Sequence, residues 1–378
     1  MIKEIKLQNF KSHAETLVEF GNLTLLCGAN GVGKSSSLQA LLLLRDNYIK
    51  ERNFENLDLK SNSVKIGTAG DAIYQYAEED GFTFYFSTSI DNYFFKYSAE
   101  KEEAKVKSFI SLARSSSNSK IDDESLFSYK FQYISANRLG PQEQYSKDDK
   151  IVDIRRQISE MDGKAEYFVH FLNQYRNLTV AQALCIKSDY DDLFSQVIAW
   201  EQEISSGINV DIRDQGKLGF TLKYSFETSR GSTGKTNLFE ASNVGFGISY
   251  VMPIIIAILS AEPDALLIIE NPEAHLHPHG ISKLTELICL AAELGIQIVI
   301  ETHSDHVING VLVQCKKFEE KKGGVSKDNV KIYHFDRDET NHCTIASKIM
   351  LENGGRLRYP PKGFFDQFTI DRKFLMGF

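Results

Sequence analysis

Eight residues near the amino terminus, Gly28-Ala29-Asn30-Gly31-Val32-Gly33-Lys34-Ser35, follow the pattern G-x-x-x-x-G-K-[ST] at every defined position. The pattern suits phosphate. Glycines let backbone amides turn inward without Cβ clashes, and a helix starting at the end of the loop adds the partial positive charge of its N-terminus. The flanks fit as well. Leu23 to Cys27 is an apolar run of strand type, and Ser35 to Arg45 carries four consecutive leucines with no breaker, as a buried helix does. The amides of Gly28, Ala29, Asn30, Gly31, Val32 and Gly33 would cradle phosphate oxygens. Lys34 would reach the β- and γ-phosphates, the Ser35 hydroxyl would ligate Mg²⁺, and Ser36 would join the nucleotide contacts. The spacing predicts a nucleoside triphosphate site.

A second acidic centre lies far downstream. Ala265 to Ile269 is an apolar strand that ends in Glu270 and continues as Asn271-Pro272-Glu273. In a parallel sheet, a carboxylate at the carboxyl end of a strand faces the ligand crevice. Glu270 would hold Mg²⁺ through its water shell, and Glu273 would stand within reach of an attacking water. The next strand, Ile296 to Ile300, runs into Glu301-Thr302-His303 and ends on the same crevice. His303 would donate to a γ-phosphate or orient the water.

Elements that can position these groups are visible in the periodicity. Ile2, Ile5 and Leu7 begin an apolar face and Leu17 to Phe20 follows, while Val64 to Ile66, Phe82 to Thr88 and Tyr93 to Tyr97 alternate aromatic and polar residues as half-buried antiparallel strands do. Lys101 to Glu124 is charged and serine-rich, including Ser115-Ser116-Ser117, and reads as a loop or connector. From Lys147 to Ser206 the spacing turns helical, for example Phe168, Phe171, Leu172 and Tyr175. After Gly247, helices and strands alternate, the signature of a parallel sheet with crossover helices.

Composition limits the function classes. The 378 residues carry 43 basic and 51 acidic side chains, a net charge of −8, which argues against a surface that clings to nucleic acid throughout. The longest apolar run, Val251 to Leu259, contains Pro253 and is too short to span a bilayer. The five cysteines include no CxxC, so a reducing cytoplasmic setting without structural zinc is expected.

With these residues assembled, the chain resembles the SMC-like, RecF-like branch of the ABC ATPases, including the overcoming-lysogenization-defect type. The resemblance rests on LQNFKSHAETLVEFGNLTLLCGANGVGKSSSLQALLLL at the start, LLIIENPEAHLHP, VIETHSDHVING and the signature-like SNVGFGISYVMPIIIAIL. YISANRLGPQ and YPPKGFFDQF are similar to bacterial predicted ATPases with an uncharacterised C-terminal domain. It implies an α/β fold: an ABC-type P-loop head, a mixed sheet with an antiparallel β subdomain, plus a short helical insert. The expected divisions are 1–146 (N-terminal lobe), 147–206 (helical insert, at most a short projection), 207–345 (C-terminal lobe) and 346–378 (C-terminal extension). It further implies ATP and Mg²⁺ as cofactors and a homodimer or higher oligomer in which ATP is sandwiched head to tail. Ser242, Asn243, Gly245 and Gly247 of one subunit would approach the nucleotide of the other. Gln142, or Gln132 in its place, would sense Mg²⁺, and Arg138 would contact phosphate. A separate effector, a nuclease or toxin as in anti-phage defence, is the implied partner.

Two departures qualify this expectation. Family members commonly carry a second acid directly after the strand-end one, and here that position is Asn271, which takes no proton from water. Glu270 or Glu273 must then act, or ATP serves chiefly as a conformational switch. The insert is also too short for coiled-coil arms. A DNA-binding repair ATPase and a non-hydrolysing, nucleotide-gated scaffold are the alternatives. Asp336-Arg337-Asp338 reads as a hairpin turn, and His275, His277 and His279 read as packing around the start of a helix, not as metal sites.

Overall fold

The chain opens with a hairpin, β1 (Ile2–Phe10) and β2 (His13–Glu19), whose alternating burial marks a sheet with one wet face. β3 (Leu23–Gly28) differs: Leu23 to Cys27 are all buried, as in a central strand covered on both sides. It feeds the phosphate loop and then α1 (Lys34–Glu51), in which Leu41 to Leu44 are all buried, so no wet stripe interrupts the helix there. β4 (Asn56–Asp58), a short α2 (Ala69–Ala72), β5 (Gly81–Thr88), β6 (Asn92–Ser98), a short α3 (Lys101–Ala104) and β7 (Phe109–Ser116) follow. Their strands join the hairpin in an antiparallel sheet of order β2-β1-β5-β6-β7-β4. This computed structural model describes residues 1–116, 120–229, 234–361, 364 and 367–377.

β7 corrects the reading of Lys101 to Glu124 as a connector. Only Ile110 in it is buried, and the strand is held by its ladder to β6, with Phe95 opposite Ser115 and Lys96 opposite Arg114. A polar strand on backbone pairing has no apolar period to read. Ser117, the last serine of that run, lies outside the described residues.

β8 (Phe131–Ile134) leads into the expected insert, which contains α4 (Phe168–Gln174) and α5 (Leu193–Ile204). It does not project. Phe168, Val169, Leu172, Leu193, Val197 and Trp200 are buried in the main core, because their apolar faces cover helix and sheet surface that would otherwise meet water. β9 (Ile208–Asp214), β10 (Phe220–Phe226) and β11 (Phe239–Glu240) form a small antiparallel sheet beside them.

The remaining elements alternate: α6 (Phe246–Leu259), β12 (Leu266–Glu270), α7 (Pro278–Glu293), β13 (Gln297–Thr302), α8 (Asp305–Glu319) and β14 (Val330–Asp338). β15 (Cys343–Glu352), β16 (Arg356–Arg358) and α9 (Gln367–Leu375) end the chain. The expected division at residue 345 falls inside β15, which pairs along its length with β14. Asp336 to Asp338, expected in the turn, instead end β14 in the ladder, opposite Ile345, Thr344 and Cys343, and Asp338 accepts from the amides of Thr340 (2.8 Å) and Asn341 (3.2 Å) in the turn beyond. Among the described residues no helix is long and apolar enough to cross a membrane.

The seven-stranded sheet runs β16-β15-β14-β3-β13-β12-β8, parallel from β14 to β8. Its two faces bury different cores. Leu25, Cys27, Ile269, Ile298 and Ile300 pack toward α6, α7 and α8, while Leu26, Ile268 and Val299 pack toward α1 and the antiparallel sheet. Register aligns the strand ends: Glu270 lies opposite Glu301, Thr302 opposite Cys27, and Gly28 opposite Phe335. Four strands therefore deliver their carboxyl ends to one edge.

Candidate nucleotide site

Gly33 closes the phosphate loop in a left-handed conformation (φ 102°). A Cβ there would stand 2.2 Å from Thr344 Oγ1, so glycine is required twice over. The loop is braced from two sides. Thr344 Oγ1 donates to the Val32 carbonyl at 2.9 Å, and His13 Nε2 meets the Gly33 carbonyl at 3.1 Å. The tip residues Ala29, Asn30 and Gly31 are exposed, leaving their surface open to a ligand.

Lys34 is buried with its ammonium against the carbonyls of Gly28 (3.1 Å) and Ala29 (2.6 Å). Burial lowers its pKa, and the negative charge of Glu301 works against that. Ser35 donates its hydroxyl to Glu301 Oε1 at 2.8 Å, and the same oxygen lies 4.0 Å from Lys34 Nζ. Glu301 is only 6% exposed. Burial raises its pKa; the Ser35 bond and Lys34 oppose the shift, and Glu270 and Glu273 reinforce it.

Glu270 is held on the other side of its strand end. Its Oε1 accepts from the Tyr133 hydroxyl at 3.0 Å and its Oε2 from the Ala136 amide at 2.9 Å, both on or just beyond β8. Glu273 Oε1 accepts from Thr302 Oγ1 (2.8 Å) and the His303 amide (3.1 Å). His303 is exposed; partial desolvation and then Lys34 lower its pKa, while Glu273 and a hydrogen bond to the Gly28 backbone act the other way. Three oxygens at this edge are buried without a hydrogen-bond partner: Asn271 Oδ1, Glu273 Oε2 and Glu301 Oε2. Orphaned buried acceptors cost about 1–3 kcal/mol each. A divalent cation with its waters, or a polarised water, fits such a set, being positive and rich in donors.

Several expected residues sit elsewhere. Arg138 is not available to phosphate. It is 3% exposed, its Nε donates to the Tyr250 carbonyl (2.9 Å), Nη1 to Ser135 (3.2 Å) and Glu270 (2.9 Å), and Nη2 to Asn271 (3.0 Å). Its guanidinium also lies 3.8 Å from the centre of the Tyr250 ring. Burial pushes its pKa down to about 10. Arg138 thus clamps the backbone that carries Glu270 and Asn271. Gln142 is exposed and turns its amide to the Gly140 carbonyl (3.4 Å), whereas buried Gln132 donates to the Arg156 carbonyl at 2.8 Å. Neither residue is brought to the phosphate loop.

The signature-like turn leads into α6. Ser242, Asn243, Gly245 and Phe246 are exposed, so the N-terminus of this helix is open to an outside ligand. Gly247 is buried because a Cβ would meet the His275 carbonyl at 2.3 Å. His275 packs its ring against Phe246, 4.5 Å between centroids, and His277 caps α7. Among the described residues no group of three or more His, Cys, Asp or Glu side chains is arranged as a metal site by those residues alone. The residue that sequence reasoning passes over is Glu301. Its signal is the one that picks out Glu270, an acid ending an apolar strand, but the conspicuous His303 follows it.

A parallel sheet carrying a phosphate loop, with an antiparallel sheet across α1 and strand-end acids beside the lysine, is the fold of P-loop ATPase heads of the SMC type. Solved structures share that fold. The SMC head bound to the C-winged helix domain of ScpA is 12% identical, covers 93% of this chain and 98% of that one, and superposes with a TM-score of 0.56. The SMC head with an extended coiled coil bound to the C-terminal domain of ScpA, derived from Pyrococcus furiosus, gives 14%, 92%, 96% and 0.52. The chain belongs to the family described as "AAA domain, putative AbiEii toxin, Type IV TA system", whose profile matches residues 23–309. A profile for a protein of unknown function matches residues 325–374. Two DNA double-strand break repair Rad50 ATPases match locally, that of Archaeoglobus fulgidus at 43% identity over 44 residues and that of Sulfolobus acidocaldarius at 49% over 43. Each match takes in 11% of this chain and 5% of the relative's length.

Proposed function

We propose that the protein binds and hydrolyses ATP with Mg²⁺ and acts as a switch subunit, two copies closing head to tail around the nucleotide. The observation that carries this reading is the cluster at one sheet edge: buried Lys34 and half-buried Ser35 beside Glu301, with unpartnered buried oxygens on Asn271, Glu273 and Glu301. Lys34 and the loop amides bind the phosphates, and Ser35 with the strand-end acids holds the divalent cation. That cation supplies charge neutralisation for the triphosphate when bound. Asn271 cannot accept a proton from water, and both Glu270 oxygens are already engaged. Glu273 is left with a free Oε2, and Thr302 and the His303 amide fix its other oxygen, so Glu273 is the general base in this reading. His303 orients the water or the γ-phosphate.

The open N-terminus of α6, with exposed Ser242, Asn243 and Gly245, supports the dimer, since helix N-termini attract anions. The nucleotide state would pass to a separate effector, a nuclease or toxin of a defence system; the toxin–antitoxin wording of the family description supports the defence setting alone. A repair ATPase that binds DNA directly is the second reading, favoured by the local Rad50 similarity. Phosphate release and size-exclusion chromatography test the first reading. Lys34→Ala should abolish ATP binding, and Glu273→Gln should bind ATP, trap a dimer and release phosphate at least 100-fold more slowly. Wild-type ATP binding by Lys34→Ala would reject the site. Salt-sensitive duplex binding by the isolated protein would favour repair.

A further inference from the structure

Two strand-end carboxylates lie side by side in register, Glu270 on β12 and Glu301 on β13, and they have different partners. The Glu270 oxygens are engaged on the β8 side by Tyr133 and the Ala136 amide. Glu301 Oε1 takes the hydroxyl of Ser35, the side chain that the phosphate motif assigns to the cation. Its second oxygen is buried without a partner. The backbone around it is fixed, since the Asn271 amide donates to the Glu301 carbonyl at 2.8 Å.

We propose that Glu301, not Glu270, is the carboxylate that positions the Ser35 hydroxyl and the hydration shell of the nucleotide's divalent cation. This rests on the ATP reading above. Glu301 is a positioning residue, acting through Ser35 and through cation-bound water. The simpler role, a counter-charge for buried Lys34, accounts for less. Lys34 already donates to two carbonyls and stands 4.0 Å from Glu301, beyond hydrogen-bond distance, and that role leaves Oε2 unused.

The test uses the full chain and a fluorescent ATP analogue, titrated in Mg²⁺ and in EDTA. Glu301→Gln keeps the shape of the side chain and removes its charge. It should lose at least tenfold of the affinity that Mg²⁺ adds, while the affinity in EDTA stays the same or tightens. Ser35→Ala should show the same loss, and the double variant no more than either single one. Glu301→Asp should recover part of the Mg²⁺ effect, and Glu270→Gln should lose less of it than Glu301→Gln; an equal or larger loss in Glu270→Gln would return the role to Glu270 and overturn the proposal. Equal weakening in Mg²⁺ and EDTA would mark a merely structural residue and overturn the proposal, as would a wild-type Mg²⁺ effect in Glu301→Gln. Loss of binding in Lys34→Ala beside an unaffected Glu301→Gln would reject only the Glu301 assignment. Undiminished binding in Lys34→Ala would reject the site itself.

Discussion

His13 sets up a measurable dependence of stability on pH. Its ring is fully buried behind the phosphate loop, with Nε2 on the Gly33 carbonyl and Nδ1 at 2.9 Å from Thr16 Oγ1. A carbonyl can only accept, so Nε2 carries the proton and Nδ1 accepts from the threonine, which assigns the neutral tautomer. Burial pushes the His13 pKa down to about 4, from an ordinary value near 6.5; the Gly33 bond opposes the shift and Lys11 adds to it. Between those two values the unfolded chain binds a proton that the folded chain refuses, so stability falls as pH falls. From pH 7.5 to 5 the contribution lost is about 2 kcal/mol, taking 1.36 kcal/mol per unit of pKa difference. Other groups titrate too, so the quantity to measure is a difference. His13→Gln can keep both hydrogen bonds without titrating. Urea unfolding followed by the fluorescence of Trp200, the single tryptophan and a buried one, gives both curves. The advantage of the wild type over the variant should shrink by about 2 kcal/mol across that range. Parallel profiles would show that His13 titrates normally, and the neutral brace behind the loop would be wrong.

Gly33→Ala should destabilise the fold by about 2 kcal/mol and weaken nucleotide binding, because its left-handed backbone disfavours a Cβ that also meets Thr344; urea midpoints and an ATP titration check both. Arg138→Lys should cost about 3 kcal/mol in the same unfolding assay, since one ammonium cannot serve the carbonyls of Ser135, Tyr250, Glu270 and Asn271. Gln142→Ala, at an exposed loop position, should leave the Mg²⁺ dependence of ATP binding within twofold of wild type. A larger change would mean that closure of the site recruits the loop.

Short motifs were legible because their physics is local. A phosphate loop needs its glycines, lysine and serine within eight residues, flanked by a buried strand and a helix, and each is written contiguously. The alternation after Gly247 announced the parallel sheet for the same reason: helix and strand periods are properties of one segment. β7 was not legible, since a polar strand held by backbone pairing leaves no apolar pattern. The insert's helices were legible as helices, but their burial was not. An apolar stripe does not say whether it covers the parent core or another protein.

The amino-acid order by itself determined that a phosphate-loop motif lies between β3 and α1 and that acids end the neighbouring strands. Which acid meets which group was decided only in three dimensions. Ser35 and Glu301 are 266 positions apart, and Tyr133 and Glu270 are 137 apart. Their pairing depends on strand order and register, so that β13, lying between β3 and β12, brings its own carboxylate to the serine. Arg138 had the composition of a phosphate ligand, and burial among backbone carbonyls made it a clamp. A charge is assigned its work by what surrounds it, and those surroundings come from chain segments that only the folded sheet brings together.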